Sequence, residues 1–194
     1  MEAQQLRATI ASAQEGDSEA YQRLLDAYGP RLYGYFYRAT RRHHDAEDLL
    51  GEIMLRLVKQ LKRYDDRGRF EPWLFRIAAN MVRDRIRRRK SKPPPSSLSA
   101  ENEAGQSRAD RLEGRNTPVD EPLLQAEASE EVRQALDDLD AKTREMILLR
   151  FFGEMSFKEL AEHFECPLGT VLARVHRGLK ALRAKMVNDD DRDD

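Results

Sequence analysis

The stretch DRGRFEPWLFRIAANMVRDRIRRRK, residues 66–90, contains the single Trp of the chain and seven Arg or Lys residues after it. Placed at about 100° per residue, it forms a helix with one apolar and one polar face. The apolar face collects Phe70, Trp73, Leu74, Ile77, Ala78 and Met81. The polar face collects Arg76, Asn80, Arg83, Asp84 and Arg87. The stretch therefore predicts a helix that is buried on one side and rich in arginine on the other.

Two interpretations of this polar face are open from the residues alone. Arginine neutralises phosphate, while Asn and Asp side chains hydrogen-bond to base edges. The preceding loop KRYDDRGRF, residues 62–70, adds an aromatic ring and further cations, a combination that favours single-stranded nucleic acid. The alternative is an ordinary cationic surface helix that is stabilised by ion pairs along its own length.

The rest of the chain also predicts helices, because apolar residues recur at helical spacing and strand patterns are nearly absent. We expect helices over 4–14, 18–38, 45–62, 70–90, 127–138, 141–151, 156–164 and 168–186, with Asp45 capping the third. The N-terminus lacks the pattern of a secretion signal, and no apolar run is long enough for a membrane span. The single Cys166 cannot form an internal disulfide and is expected in core packing. These features indicate a soluble protein of a reducing cytoplasm with no membrane contact of its own.

Residues 91–122 are rich in Pro, Ser, Gly and charge and contain three consecutive prolines, which stop a helix. We expect a flexible linker there, between a domain at 1–90 and a domain at 123–187. Residues 188–194, with five Asp and one Arg, predict an acidic disordered tail. The predicted fold is thus all-α, with two small helical domains joined by a flexible linker, the second containing a helix-turn-helix.

The helix-turn-helix is predicted from residues 156–182. Ser156 and Glu159 have the spacing of a capping box. After the turn ECPLG, one apolar stripe is predicted from Val171, Val175, Leu179 and Leu182. Residues 166–187 hold five basic and no acidic residues, whereas 123–165 hold eleven acidic and five basic ones. A basic recognition helix after an acidic scaffold is typical of major-groove binding, although purely structural helix bundles share this geometry.

Chemistry-bearing motifs are absent from the sequence. It has no phosphate-binding Gly loop, no nucleophile elbow and no convincing catalytic triad, so we do not expect an enzyme. The adjacent His43 and His44 do not share a helix face, which disfavours a metal site there. We therefore expect no cofactor and no metal.

Three segments together resemble the extracytoplasmic-function (group IV) sigma factors of bacterial RNA polymerase. They are DAEDLLGEIMLRL at 45–57, RFEPWLFRIAANMVRDRIRRRK at 69–90 and LRFFGEMSFKELAEHFECPLGTVLARVHRGLKALR at 149–183. They occur in the order of the family and cover most of both predicted domains. The resemblance implies that residues 1–90 are sigma region 2 and residues 123–187 are sigma region 4.

The resemblance also assigns roles to individual residues. Docking on the clamp helices of the polymerase β′ subunit falls to Asp48, Leu49, Glu52 and Leu55, and a further contact is expected with the β flap. Melting and recognition of the −10 element fall to Arg76, Asn80, Arg83, Asp84 and Arg87, with loop 62–70 forming a pocket for a flipped base. Recognition of the −35 element falls to Thr170, Leu172, Ala173, Arg174, His176, Arg177 and Lys180.

This chain departs from the family pattern at two places. Gly51 and Met54 stand where relatives usually have Gln and Phe, which weakens the predicted docking helix. Leu172 and Ala173 stand where many relatives have Lys and Ser, so the −35 preference is expected to differ; Leu172 suits contact with a thymine methyl group.

The function implied is a sigma factor that binds core RNA polymerase, directs promoter-specific initiation and is held inactive by an anti-sigma partner. Two other classes remain possible from the residues. A free-standing helix-turn-helix regulator would bind duplex DNA without Asp48 or Glu52. A protein-interaction module would use its basic faces on an acidic protein instead of DNA.

Overall fold

The computed structural model describes the backbone of residues 1–91, 132 and 134–190, and side chains as far as residue 185. Every element in this part of the chain is an α-helix. The helices are α1 (Ala3–Gln14), α2 (Ser18–Thr40), α3 (His43–Leu61), α4 (Phe70–Ser91), α5 (Ala141–Phe152), α6 (Phe157–His163) and α7 (Leu168–Asp190), with a helical turn at 134–137. The all-α prediction is confirmed. Apart from Ser91, the predicted linker lies outside the described residues.

Local signals position several helix ends. Asp17 accepts a hydrogen bond from the backbone N–H of Glu19 at the start of α2. The predicted capping box is present at α6, where Ser156 and Glu159 satisfy each other's backbone N–H groups. At the other end of the chain, α7 continues to Asp190, three residues into the predicted acidic tail.

The prediction that Asp45 caps α3 is wrong. The helix begins at His43, with Arg42 as its N-cap residue. Asp45 lies in the first turn, where it is buried and its two oxygens accept from Arg85 (2.7 Å) and Arg89 (3.3 Å) of α4. A long-range charge pair thus replaces the local cap, and it ties α3 to α4.

Helices α1–α4 form a first lobe around an aromatic and aliphatic core. The largest fully buried side chains are Leu24, Leu32, Tyr35, Phe36, Leu49, Ile53, Leu61, Phe70, Leu74 and Phe75, together with Ile10. Tyr28 and Phe70 pack with ring centroids 5.3 Å apart. Burying each large apolar side chain contributes on the order of 1.5–3 kcal/mol, so this core holds α4 with its apolar face inward, as the sequence predicted.

The second lobe, residues 134–190, packs α5 and α6 against α7 around Met146, Leu149, Leu160, Val171 and Val175. The predicted apolar stripe of α7 is wrong at one position, because Leu179 is 37% exposed. Gly178 takes its place on the buried face. There α5 approaches so closely that a Cβ atom on Gly178 would lie 2.7 Å from Ile147 Cδ1. The buried positions 171, 175 and 178 and the half-buried Leu182 therefore follow one face, and Leu179 is turned outward.

The two lobes lie against each other through an apolar contact ringed by charge. Phe152 of α5 packs beside Gly34 and against the ring of Tyr35, whose centroid is 6.4 Å away. Around this contact, arginines of the first lobe face carboxylates of the second. These pairs are Arg31 with Glu154, Arg41 with Asp137, Arg69 with Glu159 and Arg83 with Glu145.

Candidate nucleic-acid interface

The polar stripe predicted for α4 lies on one exposed side of the helix. Arg76 and Asn80 are exposed, and Arg87 is 80% exposed at its side chain while pairing with Asp84 at 2.9 Å. Arginine and asparagine at this spacing offer phosphate and base-edge contacts along about three turns. The structure therefore brings four of the five predicted −10 residues together in an accessible stripe, with Asp84 half-buried.

Arg83, the fifth member, is engaged by the second lobe. Its Nε donates to Glu145 Oε1 at 2.9 Å, and its second amino group lies 2.8 Å from His163 Nε2. The guanidinium also lies over the ring of Phe164, 5.2 Å from the centroid. In this conformation Arg83 must exchange its partners before it can meet a phosphate.

Burial shapes the protonation of this cluster. Desolvation, together with the nearby cations Arg83 and Arg76, lowers the pKa of His163 to about 4. Desolvation raises the pKa of the Glu145 carboxyl, against the attraction of Arg83. His163 is therefore neutral near pH 7 and can accept the hydrogen bond from Arg83 at Nε2.

The loop between α3 and α4 is anchored from α1. Gln14 Nε2 donates to the carbonyl oxygens of Leu61 (2.9 Å) and Tyr64 (2.7 Å). The Tyr64 ring packs on Trp73, with centroids 4.5 Å apart. Gly68 adopts a left-handed φ of 71°. The loop 62–70, which the sequence predicts to be a base pocket, is thus held in a defined conformation by these contacts. Sequence reasoning missed Gln14, whose only signal was a polar residue near the end of an otherwise amphipathic helix.

The predicted docking residues on α3 separate into surface and core. Leu55 is 67% exposed, Glu52 pairs with Arg56 at 2.6 Å, and Asp48 lies 3.2 Å from Arg85. Leu49, in contrast, is 1% exposed within the first-lobe core. It has no surface to offer a partner while α3 stays packed, so its contribution is to hold the helix.

Arg85 and Arg89 were missed by the sequence analysis as structural residues. They face Asp45 and Asp48 on α3 rather than the exposed stripe of α4. The available signal was charge complementarity. The start of α3 is rich in acidic residues, and the end of α4 is rich in arginine. These partly buried pairs join α3 to α4.

The recognition helix α7 presents most of its predicted residues to solvent. Those exposed are Thr170, Leu172, Ala173, His176, Arg177 and Lys180. Arg174 alone is half-buried, with 33% of its side chain exposed. Cys166 packs against the core from the turn before α7, as predicted. The helix-turn-helix therefore has the exposed second helix that major-groove docking requires.

Other kinds of site receive no support from the described residues. In these ranges no group of three or more His, Cys, Asp or Glu is arranged to hold a metal ion. The same part of the chain contains no helix that is both long and apolar enough to cross a membrane.

Comparison with known families matches both lobes. The model of sigma-70 region 2 matches residues 24–92, and the model of sigma-70 region 4 matches residues 129–182. Among solved structures, CnrH in complex with the cytosolic domain of CnrY is similar, with a TM-score of 0.61 and 24% identity. That match covers 94% of this chain and 97% of CnrH, and it supports the fold.

Curated relatives extend over nearly the whole chain. The ECF RNA polymerase sigma factor SigW of Bacillus subtilis (strain 168) is 31% identical, covering 93% of this chain and 96% of SigW. The ECF RNA polymerase sigma-E factor of Haemophilus influenzae is 26% identical, covering 93% of this chain and 94% of its own length. The region 2 model lies on the α4 stripe and its loop, and the region 4 model lies on the helix-turn-helix. The chain belongs to the extracytoplasmic-function sigma factors of RNA polymerase.

Proposed function

We propose that this sigma factor directs core RNA polymerase to its promoters by reading the −35 duplex with α7 and the separated −10 strand with α4. The observation that carries the proposal is the pair of exposed polar faces on these helices. One belongs to a helix-turn-helix, and the other lies beside an aromatic loop. A free-standing duplex regulator has no use for the second face.

At the −10 element, Arg76, Asn80 and Arg87 are accessible to the separated strand. Opening DNA costs about 1.4 kcal/mol of stacking per step. Stacking of an extruded base on an aromatic ring returns about 1–3 kcal/mol, and the loop 62–70 carries Tyr64 for that purpose. Arg83 and Asp84 join the contact once they have exchanged their partners within the protein.

At the −35 element, the outward side chains of α7 supply different kinds of contact. Arg177 and Lys180 neutralise phosphates or reach guanine. Thr170 and His176 offer hydrogen bonds, and Leu172 with Ala173 offers an apolar surface to thymine methyl groups. The proposed −35 preference is therefore less polar than that of relatives with Lys and Ser at these two positions.

Docking on polymerase is proposed to use both lobes. On α3, Asp48, Glu52 and Leu55 form an acidic and apolar surface for the clamp helices of β′. On the second lobe, Phe151, Phe157, Leu179 and neighbouring residues line an apolar groove of 390 Å³. Such an apolar groove suits a helix of the β flap.

An anti-sigma partner is also proposed. A structure with the same fold, of RpoE from Bartonella quintana with the anti-sigma factor NepR, has a TM-score of 0.59 and 20% identity to this chain. The proposed role requires no catalytic group of the chain's own, since polymerase performs the chemistry. It places the protein in the bacterial cytoplasm, where polymerase acts.

Run-off transcription with core RNA polymerase and a promoter library tests the proposal. We expect discrete start sites that depend on this protein and that fade when Asn80→Ala or Arg177→Ala is introduced. Arg23→Ala is the matched control, because Arg23 lies on α2 and pairs with Asp17 and Glu19 of the same lobe. If polymerase gains no start sites while the protein alone shifts duplex DNA, the chain is a free-standing regulator and the docking surface on α3 is wrong.

A further inference from the structure

Arg174 differs from the other predicted −35 residues because its guanidinium is bound to another helix of the protein. Its Nη1 donates to Asp140 Oδ1 at 3.1 Å and lies 3.3 Å from the hydroxyl of Thr143. Both acceptors belong to the start of α5, on another helix of the same lobe. Arg177, one turn later on α7, is exposed, and its Nε donates to the backbone oxygen of Ala173 on its own helix.

Helical geometry explains this difference. Val171 and Gly178 mark the side of α7 that is buried against α5. At about 100° per residue, Arg174 lies within about 60° of Val171 and Gly178 around the helix axis. This places it at the edge of the buried side of α7. Ala173 and Lys180 lie on the opposite side of the helix. Arg174 is therefore placed where α7 meets α5, away from the centre of the outward face.

Asp140 joins the two helices. It is the N-cap residue of α5, and it accepts from the Thr143 backbone N–H (3.1 Å) and from the Thr143 hydroxyl (2.6 Å). The hydrogen bond from the Thr143 side chain lowers the pKa of Asp140, and the Arg174 cation lowers it further. The carboxylate is thus charged at neutral pH and holds Arg174 against the cap.

This arrangement is poorly suited to reading a base. Arginine recognises guanine with two N–H groups in a fork, and one amino group of Arg174 is already shared by two protein acceptors. The adjacent Asp140 carboxylate offsets the positive charge and repels phosphate. The same contacts are well suited to setting how far α7 is rotated and how deep it lies against α5.

We infer that Arg174 is a positioning residue, which with Asp140 and Thr143 orients the recognition helix, and that base recognition is left to the outward residues of α7. The inference rests on the proposed function of α7 as the −35 reader. It revises the role that the family resemblance assigns to Arg174.

The test uses the full chain with core polymerase on a promoter panel in which each −35 base pair is changed in turn. Asp140→Asn removes the charge that holds Arg174 but keeps the helix cap, since Asn and Asp cap equally well. Asp138→Asn is the matched control. Asp138 lines a groove together with Asp140 and Arg174, and it pairs with Lys185 instead of Arg174. Its side chain is 58% exposed, against 59% for Asp140.

We expect Arg174→Ala and Asp140→Asn each to lower promoter affinity about two- to fivefold, the size of a partly exposed ion pair. The fold loss of affinity should be the same for every −35 base change. Because both substitutions break the same contact, the double variant should lose no more affinity than the single variant with the larger loss. Arg177→Ala, in contrast, should reduce discrimination at one base pair by about fivefold or more. Asp138→Asn should leave affinity unchanged.

Four outcomes overturn the inference. If Arg174→Ala abolishes preference at one base pair while Asp140→Asn does not, Arg174 reads that base. If Arg174→Ala lowers only the melting temperature, with affinity unchanged where both proteins are folded, the contact of Arg174 with Asp140 and Thr143 serves stability alone. If the wild-type chain shows no −35 preference, the proposed function of α7 fails and the inference fails with it. A retained wild-type preference with neither variant affecting affinity overturns the inference alone.

Discussion

The two polar faces of the molecule differ in how their cations are held. On α4, four arginines face carboxylates, in the pairs Arg83 with Glu145, Arg85 with Asp45, Arg87 with Asp84 and Arg89 with Asp45. On α7, Arg174 and Lys185 face carboxylates at the edge toward α5, while His176, Arg177 and Lys180 are exposed on the outward side. Arg85 and Arg89 lie outside the exposed stripe of α4. Within that stripe Arg83 and Arg87 are paired inside the protein and Arg76 is exposed, whereas His176, Arg177 and Lys180 on α7 are all exposed.

This difference predicts an order of events. A side chain that is already exposed meets DNA without giving up a partner, so α7 can engage the duplex as it stands. Arg83 must first leave Glu145 and His163, which belong to the second lobe. Full engagement of the α4 stripe, Arg83 included, therefore requires release from the second lobe, and we expect it to follow recognition of the −35 duplex.

The largest expected effect comes from disturbing the helix that carries the α7 face. In Gly178→Val the new Cβ would clash with α5, because it would lie 2.7 Å from Ile147 Cδ1 and 2.8 Å from Thr143 Cγ2. We expect a loss of about 1–3 kcal/mol in the free energy of unfolding, measured by chemical denaturation, with −35 recognition reduced. Gly169→Val is the control, because no atom lies within 4 Å of that Cβ. Equal losses for both variants would contradict the packing at Gly178.

The same substitution, Tyr to Phe, should change the free energy of unfolding in opposite directions at Tyr35, beside the second lobe, and at Tyr28, within the first lobe. The Tyr35 hydroxyl is buried with no hydrogen-bond partner among the described residues, and its ring packs on Phe152 of the second lobe. Tyr35→Phe removes that cost and should raise the free energy of unfolding by about 1 kcal/mol. Tyr28→Phe should lower it by about 1–2 kcal/mol, since the Tyr28 hydroxyl donates to Glu71 at 2.6 Å. The same sign for both, in thermal or chemical denaturation, would refute this account.

Releasing Arg83 of α4 from Glu145 tests whether internal ion pairing limits how strongly α4 binds DNA. Glu145→Gln removes the carboxylate that holds Arg83 and should raise affinity for −10 single strand by up to about fivefold, the scale of a partly exposed ion pair. Glu154→Gln is the matched control, because Glu154 pairs with Arg31 of α2 across the same contact at 3.0 Å. Fluorescence anisotropy with labelled DNA measures both. Equal gains would show that separation of the lobes, and not release of Arg83, limits binding.

The last expected effect is a pH dependence at the contact of the lobes, where His163 and Glu145 act in opposite directions. His163 has a folded pKa of about 4, below its usual 6.5, so the unfolded chain binds a proton more readily than the folded one. His163 therefore contributes stability above pH 6.5 that is lost as the pH falls toward 4. Glu145, whose folded pKa is raised, acts in the opposite direction. His163→Gln keeps an acceptor for Arg83 and should flatten the decline in unfolding free energy between pH 6.5 and 4; an unchanged pH profile would rule out His163 as its cause.

Much of the fold followed from patterns only a few residues long. The apolar and polar faces of α4, the capping box at Ser156 and Glu159 and the helix boundaries depend on periodicity and local hydrogen bonds. Errors arose where one helix meets another. Leu179 was predicted to be buried because its spacing fits a stripe, but the close approach of α5 selects Gly178. Asp45 was predicted as a cap, but Arg85 and Arg89 lie near enough to bind it instead.

The sequence by itself determined the all-α class, the composition of both polar faces and the family resemblance, because these depend on the order and spacing of residues along one helix. Only the tertiary structure decided which of those side chains are available. Arg83 is engaged by Glu145 and His163, Leu49 is buried in the core, and Arg174 is bound to Asp140. The physical reason is that charge pairing and burial depend on distances between helices, and residues far apart in sequence give no local signal of meeting.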